Sequence, residues 1–465
     1  MSRTPVPRGA ALLGLASSMF LVVLDAAMTN LAGPDIRAGL GLTAAELTLV
    51  ASSYLVPLAG LLLLGGRLAD VVGGRRIYVV GMVVYLVATA FCAFAVNGPM
   101  LIAGRVGQGI GGAIVIPSAL ALALAISVTP AERTRTVGIW GAVSGAGGLL
   151  GFLLGGVLTQ AFGWSAVFWA PVPVGLLSMV LVLRSVPPVR GRPGRIDVPG
   201  AITITGGISA IAYGVVSASE SRWSEPGSFV AIAAGLVFLA AFVAVERRAA
   251  NPLVPLELFG RGPVIRASAV VMALGGVFGS MFFLLPQYLQ QVQGLDAQSA
   301  GLGQAPLPLM IIVGSALAPV VARPFGPARA CTAGLVLLLA GFTWLILNPA
   351  DDGYSAHTVG AFVLLGAGAG IGLVNAIAIA VRDATEGESG LLSGLVSAAQ
   401  QVGAAAGVAI LGGIAIGAAG ADGELDFTTA FVSQTVLVLI AFGLSLIPPG
   451  SRVGPAPAVE RLERV

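Results

Sequence analysis

Apolar residues run through this chain in long stretches broken by short clusters of Arg, Asp, Gly and Pro, and the stretches approach the roughly 20 residues that carry a helix across a bilayer. They lie at 9–31, 46–66, 77–96, 100–128, 137–160, 164–184, 198–218, 228–245, 264–285, 299–321, 329–348, 357–381, 390–417 and 427–447. None shows the period-2 alternation over about 10 residues that marks an outer-membrane barrel strand. The pattern therefore predicts an all-α integral membrane protein with fourteen transmembrane helices.

The Arg distribution tests that layout, because cytoplasmic loops of membrane proteins carry the excess of basic residues. All 24 basic residues are Arg. With both termini placed in the cytoplasm, 21 of them fall on the inside, only Arg37 and Arg222 fall outside, and Arg105 lies within a span. The longest inside connections, around Arg190 to Arg195 and from Glu246 to Arg266, divide the chain. The division predicts a six-helix bundle at 9–184, two additional linking helices at 197–246, a second six-helix bundle at 263–447 and a cytoplasmic tail at 448–465. Paired six-span halves are a hallmark of transporters, whose substrate sites lie between the halves near the midplane.

Composition narrows the function further. The chain is 57% hydrophobic and 10% charged, with a mean hydropathy of +0.96, far from the balance of a soluble domain. The net charge of +3 comes from scattered loop Arg without an aromatic-interleaved basic patch, which argues against nucleic acid. Cys92 and Cys331 lie in separate apolar runs, so no disulfide is expected, and one His with two distant Cys offers no metal site. His357 reads as a solvated residue beside an outside loop. No paired-acid, His or metal constellation suggests an enzyme, no cofactor is implied, and no large soluble segment suggests a receptor or scaffold.

Two charges then stand out: Asp25 in the run from Leu12 to Leu31, and Arg105 in the run from Met100 to Val128. Ionisable residues at bilayer depth cost several kcal/mol and generally face a cavity, a proton path or each other. Burial disfavours an ionised carboxylate and a nearby cation favours it, so an Asp25 coupled to Arg105 would be able to titrate as the site opens to each side.

Around these charges lie recognisable motifs. Gly66-Arg67-Leu68-Ala69-Asp70-Val71-Val72-Gly73-Gly74-Arg75-Arg76, between spans two and three, resembles the loop of the major facilitator superfamily that reads G-x-L-A-D-R-x-G-R-[RK], with Val71 in a usually basic position. The resemblance implies a cytoplasmic gating loop formed by Gly66, Asp70, Gly73, Arg75 and Arg76. Leu101-Ile-Ala-Gly-Arg105-Val-Gly-Gln108-Gly109-Ile-Gly111-Gly-Ala113 resembles the span-four motif of proton-driven members. It also contains Gly107-x-Gly109-x-x-Gly112, which is no dinucleotide fingerprint because an apolar span surrounds it. Leu24-Asp25-Ala-Ala-Met-Thr-Asn30 resembles the first-span signature of drug:proton antiporters.

Span five carries Gly147, Gly151, Gly155 and Gly156, with two G-x-x-x-G steps that suit close helix packing. The spacing also resembles the antiporter motif G-x8-G-x3-G-P-x2-G-G, with Phe152 in place of the proline. Ile196-Asp197-Val-Pro-Gly200, Asn251 to Phe259 and Leu285 to Gly294 resemble the fourteen-span branch in particular.

The chain is thus similar to the fourteen-span drug:proton antiporter family. The resemblance implies proton-coupled efflux of small lipophilic compounds such as drugs or antibiotics by alternating access, in a cell membrane, by a functional monomer whose partners are protons, substrate and lipid. The alternative is a transporter of one specific metabolite or self-made antibiotic. Asp25 and Arg105 are the expected proton-coupling pair, with about one proton per cycle because no second deep acid is placed in a span. Asn30, Gln108, Tyr288, Asn375 and Gln400 are the substrate-cavity candidates.

Overall fold

Described in the computed structural model are residues 8–127, 129–187, 191, 197–220, 224–249, 252–253, 262–347, 354, 356–381, 389–418 and 425–446. Expectations for Arg190, Arg192, Arg195, Arg222, residues 254–259, Asp351, Asp352, Arg382 and the tail at 448–465 lie outside them.

Regular structure among the described residues is helical throughout. The first half comprises α1 (Arg8–Leu31), α2 (Gly33–Leu40), α3 (Ala44–Leu68), a π-helical turn (Ala69–Gly73), α4 (Gly74–Ala93), α5 (Gly98–Ile126), α6 (Pro130–Phe162), α7 (Ala166–Trp169) and α8 (Pro171–Ser185). A central pair follows, α9 (Val198–Glu220) and α10 (Pro226–Glu246). The second half contains α11 (Gly262–Gln291), α12 (Ala297–Gln304), α13 (Pro306–Leu347), α14 (Ala356–Val381), α15 (Ser389–Gly417) and α16 (Phe427–Leu446).

Helix starts follow local chemistry where the chain leaves the apolar phase. Thr43 and Thr129 each accept from the backbone N–H of the Glu three residues on, Glu46 and Glu132, whose carboxylates accept from the Thr N–H groups in return. These reciprocal boxes satisfy donors that a helix start otherwise leaves open.

Twelve segments among the described residues are long and apolar enough to cross a membrane, where the sequence layout predicted fourteen. The difference lies in two places where helical backbone runs on through an expected break. Ala44–Ala93 spans 50 residues and Ala297–Leu347 spans 51.

Neither long segment is straight. At Gly73 the backbone has φ +113°, and α3 and α4 then flank α5 in opposite directions: Tyr54 and Leu58 meet Gly109 and Gly112 on one side, while Ala88 and Tyr85 meet Gly107 and Gly111 on the other. At Gly326, with φ +78°, α13 leaves helical geometry. The parts before and after it lie on two sides of α14 at one level, since Gly366 abuts Leu307 and Met310 while Gly368 abuts Gly334 and Leu338. Both glycines occupy the left-handed region that side-chain-bearing residues avoid.

Two large buried clusters fill the bundle, one within the first half and one centred on the second half that also takes in Leu31, Leu47 and Phe152 of the first. Leu15, Leu21, Tyr78, Met82, Tyr85, Ala113 and Val182 belong to one buried cluster, and Leu274, Met281, Leu284, Leu335, Phe342, Phe362 and Phe431 to another. The central α9 fills a groove between α3 and α15, with Ile208, Ala212 and Val216 packed among Ala45, Val56, Ala405 and Ala409. Its partner α10 leaves Leu236 and Val237 exposed, as a lipid-facing helix does.

At the end of the bundle where α1 and α11 finish, the halves are sealed together. Gln290 Nε2 donates to the Leu31 carbonyl at 2.8 Å. Gly156 lies against Ala297 and Gln298, Gly301 lies against Phe152, and Phe152 stacks on Phe282 at 5.5 Å and 5°.

Candidate functional site

Four helices converge on Asp25. It occupies the last third of α1 and is fully buried, and Arg105, on the second turn of α5, is 1% exposed. Arg105 Nη1 donates to Asp25 Oδ2 at 3.1 Å. The same Nη1 donates to Gln108 Oε1 at 2.8 Å, and Gln108 Nε2 donates to Asp25 Oδ1 and Oδ2 at 3.1 and 3.2 Å. Acid, guanidinium and amide form a closed triangle.

Glycines let the backbones approach closely enough for this. On α5, Gly107 and Gly111 face Ala88 and Tyr85 of α4, where an added Cβ would stand 2.8 and 2.6 Å from the nearest atom, while Gly109 faces Tyr54 of α3. Close packing brings Thr89 within reach, so that Gln108 Nε2 also donates to Thr89 Oγ1 at 2.9 Å, and Thr89 donates in turn to the Tyr85 carbonyl at 2.7 Å. The Cys92 thiol points at Gln108 Oε1 at 3.7 Å. Tyr54 lies under the guanidinium, with Arg105 Cζ 4.3 Å from the ring centre, a cation–π contact that strengthens in a desolvated setting. The Tyr85 hydroxyl lies beside the carboxylate but outside hydrogen-bonding geometry, and Arg105 Nε has no partner among the described residues.

Asp25, Arg105 and Gln108 therefore come together as one cluster. Asn30 is half-buried further along α1. Tyr288 packs instead in the second half, edge-on to Phe427 and Phe431 at 5.6 and 5.2 Å. Asn375 donates to the carbonyls of Ile371 and Ala318, tying α14 to α13, and half-buried Gln400 sits where α15 packs on Gly275 of α11.

In the π-helical turn Asp70 is exposed and makes no polar contact among the described residues; Arg75 donates to the Leu183 carbonyl, and Arg76 is exposed. Gly66 lies inside α3 and faces Pro117, leaving Gly73 as the glycine that turns the chain.

The span-five glycines pack on the helix that carries the acid. Gly147 meets Phe20 and Val23, Gly151 meets Leu24 and Ala27, and Gly155 meets Met28, so this face cradles α1 on either side of Asp25. Gly156 turns to the second half and meets Ala297.

Tyr54, Tyr85 and Thr89 were not singled out from the sequence. Thr89 carried a usable signal, being the one aliphatic hydroxyl in the span at 77–96. No metal-binding group of three or more His, Cys, Asp or Glu occurs among the described residues.

Twelve segments among the described residues that are long and apolar enough to cross a membrane, packed as a helical bundle with a buried ion pair inside one half, are the architecture of a multi-pass membrane protein. The sequence matches the Major Facilitator Superfamily over residues 15–408, and the chain belongs to that family. It is 34% identical to the cephamycin export protein of Amycolatopsis lactamdurans, covering 95% of this chain and 92% of that one. It is 35% identical to the puromycin resistance protein of Streptomyces alboniger, covering 87% and 81%. In fold it is similar to a bacterial homologue of the human lysosomal transporter Spinster, with TM-score 0.68 and 17% identity over 96% and 97% of the two chains.

Proposed function

We propose that this protein exports small lipophilic compounds of the antibiotic class across the cell membrane in exchange for protons, with Asp25 as the proton carrier and Arg105 as its partner. The observation that carries this reading is the buried Asp25–Arg105–Gln108 triangle. An ionised Asp25 accepts from Arg105 and Gln108. A protonated Asp25 replaces one acceptor site with an O–H donor and no longer balances the guanidinium charge, so proton uptake loosens the triangle.

Export follows from alternating access. Open to the acidic exterior, Asp25 takes a proton as substrate leaves; open to the cytoplasm, it loses the proton as the next substrate binds. Both cannot be favoured together, which couples the two fluxes at about one proton per cycle. The names of the relatives support antibiotics as the cargo. Because the cephamycin and puromycin relatives are each named for one compound, export of a single self-made antibiotic is the second reading.

Fourteen crossings fit the helix lengths best. A straight helix of 50 residues would reach about 75 Å, more than twice the ~30 Å hydrocarbon core, so the segments bent at Gly73 and Gly326 each count as two passes. The bundles at 9–184 and 263–447 then flank the linking pair at 197–246, both termini are cytoplasmic, and the protein works as a monomer. In that orientation the sealed end is extracellular and the conformation faces inward. Exposed Asp70 and the Arg75–Arg76 pair form a cytoplasmic latch that is released in this state, and the Gly147–Gly156 face guides α6 along α1 between states.

The test is accumulation of labelled puromycin and a labelled cephamycin in inverted membrane vesicles. Accumulation abolished by a protonophore supports proton-driven export. Retention of one compound alone, with lipophilic cations excluded, favours the narrow reading; absence of any pH-driven uptake refutes both.

A further inference from the structure

Away from the ion pair, one fully buried side chain has no partner at either polar atom. Gln304, at the end of α12, is 0% exposed, and both its Nε2 and Oε1 lack a hydrogen-bond partner among the described residues. Its neighbours on the same helix face, Ala300, Gly301, Leu307 and Pro308, offer no polar side chain.

The register of the two halves shows what Gln304 faces. α12 and α13 run antiparallel to α6, with Ala297 against Gly156, Gly301 against Phe152, and Ile312 against Gly145. Gln304 therefore stands level with the turn of α6 at 148–150, just before Phe152. Gly148 is buried, yet a Cβ there would find only Val23 Cγ1 within 4 Å, at 3.9 Å, whereas Gly147, Gly151, Gly155 and Gly156 are all in contact below 3.0 Å. Gly148 thus leaves room on α6 at about the level of the unpaired amide, and the parallel Phe152 and Phe282 rings lie one turn nearer the sealed end.

We propose that Gln304, the Gly148 gap and the Phe152–Phe282 stack form a substrate-recognition subsite for a flat ring bearing a cis amide, such as a lactam. A primary amide presents one donor and one acceptor side by side, and a cis lactam presents the complementary acceptor and donor in the same plane. The aromatic pair supplies a face on which such a ring stacks. The inference rests on the transport reading above and names the chemistry of its cargo. It also gives Phe152 a use: where the antiporter pattern has a proline, this chain has a ring that joins the halves.

The test measures binding of two probes to purified full-length protein in nanodiscs at a fixed pH, without a gradient. The probes are isoquinolin-1(2H)-one, a flat lactam, and its N-methyl derivative, which lacks the donor. Wild type is expected to bind the lactam about tenfold or more tightly than the N-methyl compound. Gln304→Leu should remove the preference, binding both probes equally and more weakly than wild type binds the lactam, while a thermal midpoint no lower than that of wild type reports an intact fold. Gly148→Leu, which fills the gap from the opposite helix, should abolish binding of both.

Equal affinity of wild type for the two probes, binding of neither, or a preference that survives Gln304→Leu overturns the proposal. A protein that binds as expected but shows no pH-driven flux retains the subsite and loses the antiport reading.

Discussion

Arg105 and Asp25, eighty positions apart in the chain, meet through Nη1 and Oδ2 at 3.1 Å with neither side chain more than 1% exposed. Two desolvated charges at such a distance depend on one another, because removal of either leaves the other buried without compensation. Arg105→Met is therefore expected to destabilise the N-terminal half by about 3–5 kcal/mol, in the range for broken buried pairs. Asp25→Asn/Arg105→Met should recover a large part of that loss. Thermal unfolding in detergent measures both, and an Arg105→Met protein as stable as wild type contradicts the mutual dependence.

Gln108 uses one side-chain N–H on Asp25 and directs the other to Thr89. Thr89→Val leaves a buried donor without its acceptor, a loss of about 1–3 kcal/mol, whereas Thr89→Ser keeps the hydroxyl. The expected stability order is wild type, then Ser, then Val. Equal thermal midpoints for Ser and Val would show that the hydroxyl does not hold the amide.

Two neighbouring glycines of α6 should answer differently to one methyl group. At Gly151 a Cβ would stand 2.6 Å from Ala27 Cβ and 2.8 Å from the Leu24 carbonyl, so Gly151→Ala must push α1 away beside Asp25. Overpacking of that kind costs about 1–3 kcal/mol. Gly148→Ala meets open space and gains up to about 1 kcal/mol of helix propensity. Thermal midpoints that fall for Gly148→Ala and not for Gly151→Ala would overturn this packing.

Two exposed or half-exposed acids near the sealed end bear on pH dependence. Hydrogen bonds from the Ser299 backbone N–H hold the Asp296 carboxyl below its usual range, while partial burial pushes Asp35 above it. With its pKa lowered, the α12 cap made by Asp296 contributes fully above the ordinary carboxylate pKa and is lost only as pH falls through the depressed value. Asp296 thus stays ionised from pH 5 to 8, and Asp296→Asn should leave the pH profile of transport in that window unchanged. Asp35, being raised, gains a proton earlier on acidification, so its ionised form opposes folding at neutral pH and Asp35→Asn should raise the thermal midpoint at pH 7.5 more than at pH 4. A shifted transport profile in Asp296→Asn, or an opposite trend in Asp35→Asn, contradicts these assignments.

Much of the site could be read in the chain because charge is rare in apolar spans. Asp25 and Arg105 announced themselves by cost alone, and Gln108 came with the glycine motif around Arg105. Tyr54 and Tyr85 gave no comparable signal, since a tyrosine suits any apolar interior and only packing decides whether its ring lies under a guanidinium. Tyr288 illustrates the converse: an aromatic residue in a suggestive motif packs with Phe427 and Phe431 in the core of the second half. Span boundaries at 66 and 321 were set by punctuating Gly, Pro and Arg, yet the backbone stays helical through them and bends at Gly73 and Gly326 instead. Gln304 carries no signal in the chain because its significance is an absence of partners, which no sequence pattern records.

The most direct test of the central claim follows protons and substrate together in proteoliposomes carrying a pH-sensitive dye, with wild-type and Asp25→Asn protein. Wild type is expected to release protons when substrate is added and to concentrate substrate against a pH gradient; Asp25→Asn should exchange substrate down its own gradient while moving no protons. Proton movement by Asp25→Asn at the wild-type rate would contradict the assignment of Asp25 as the carrier.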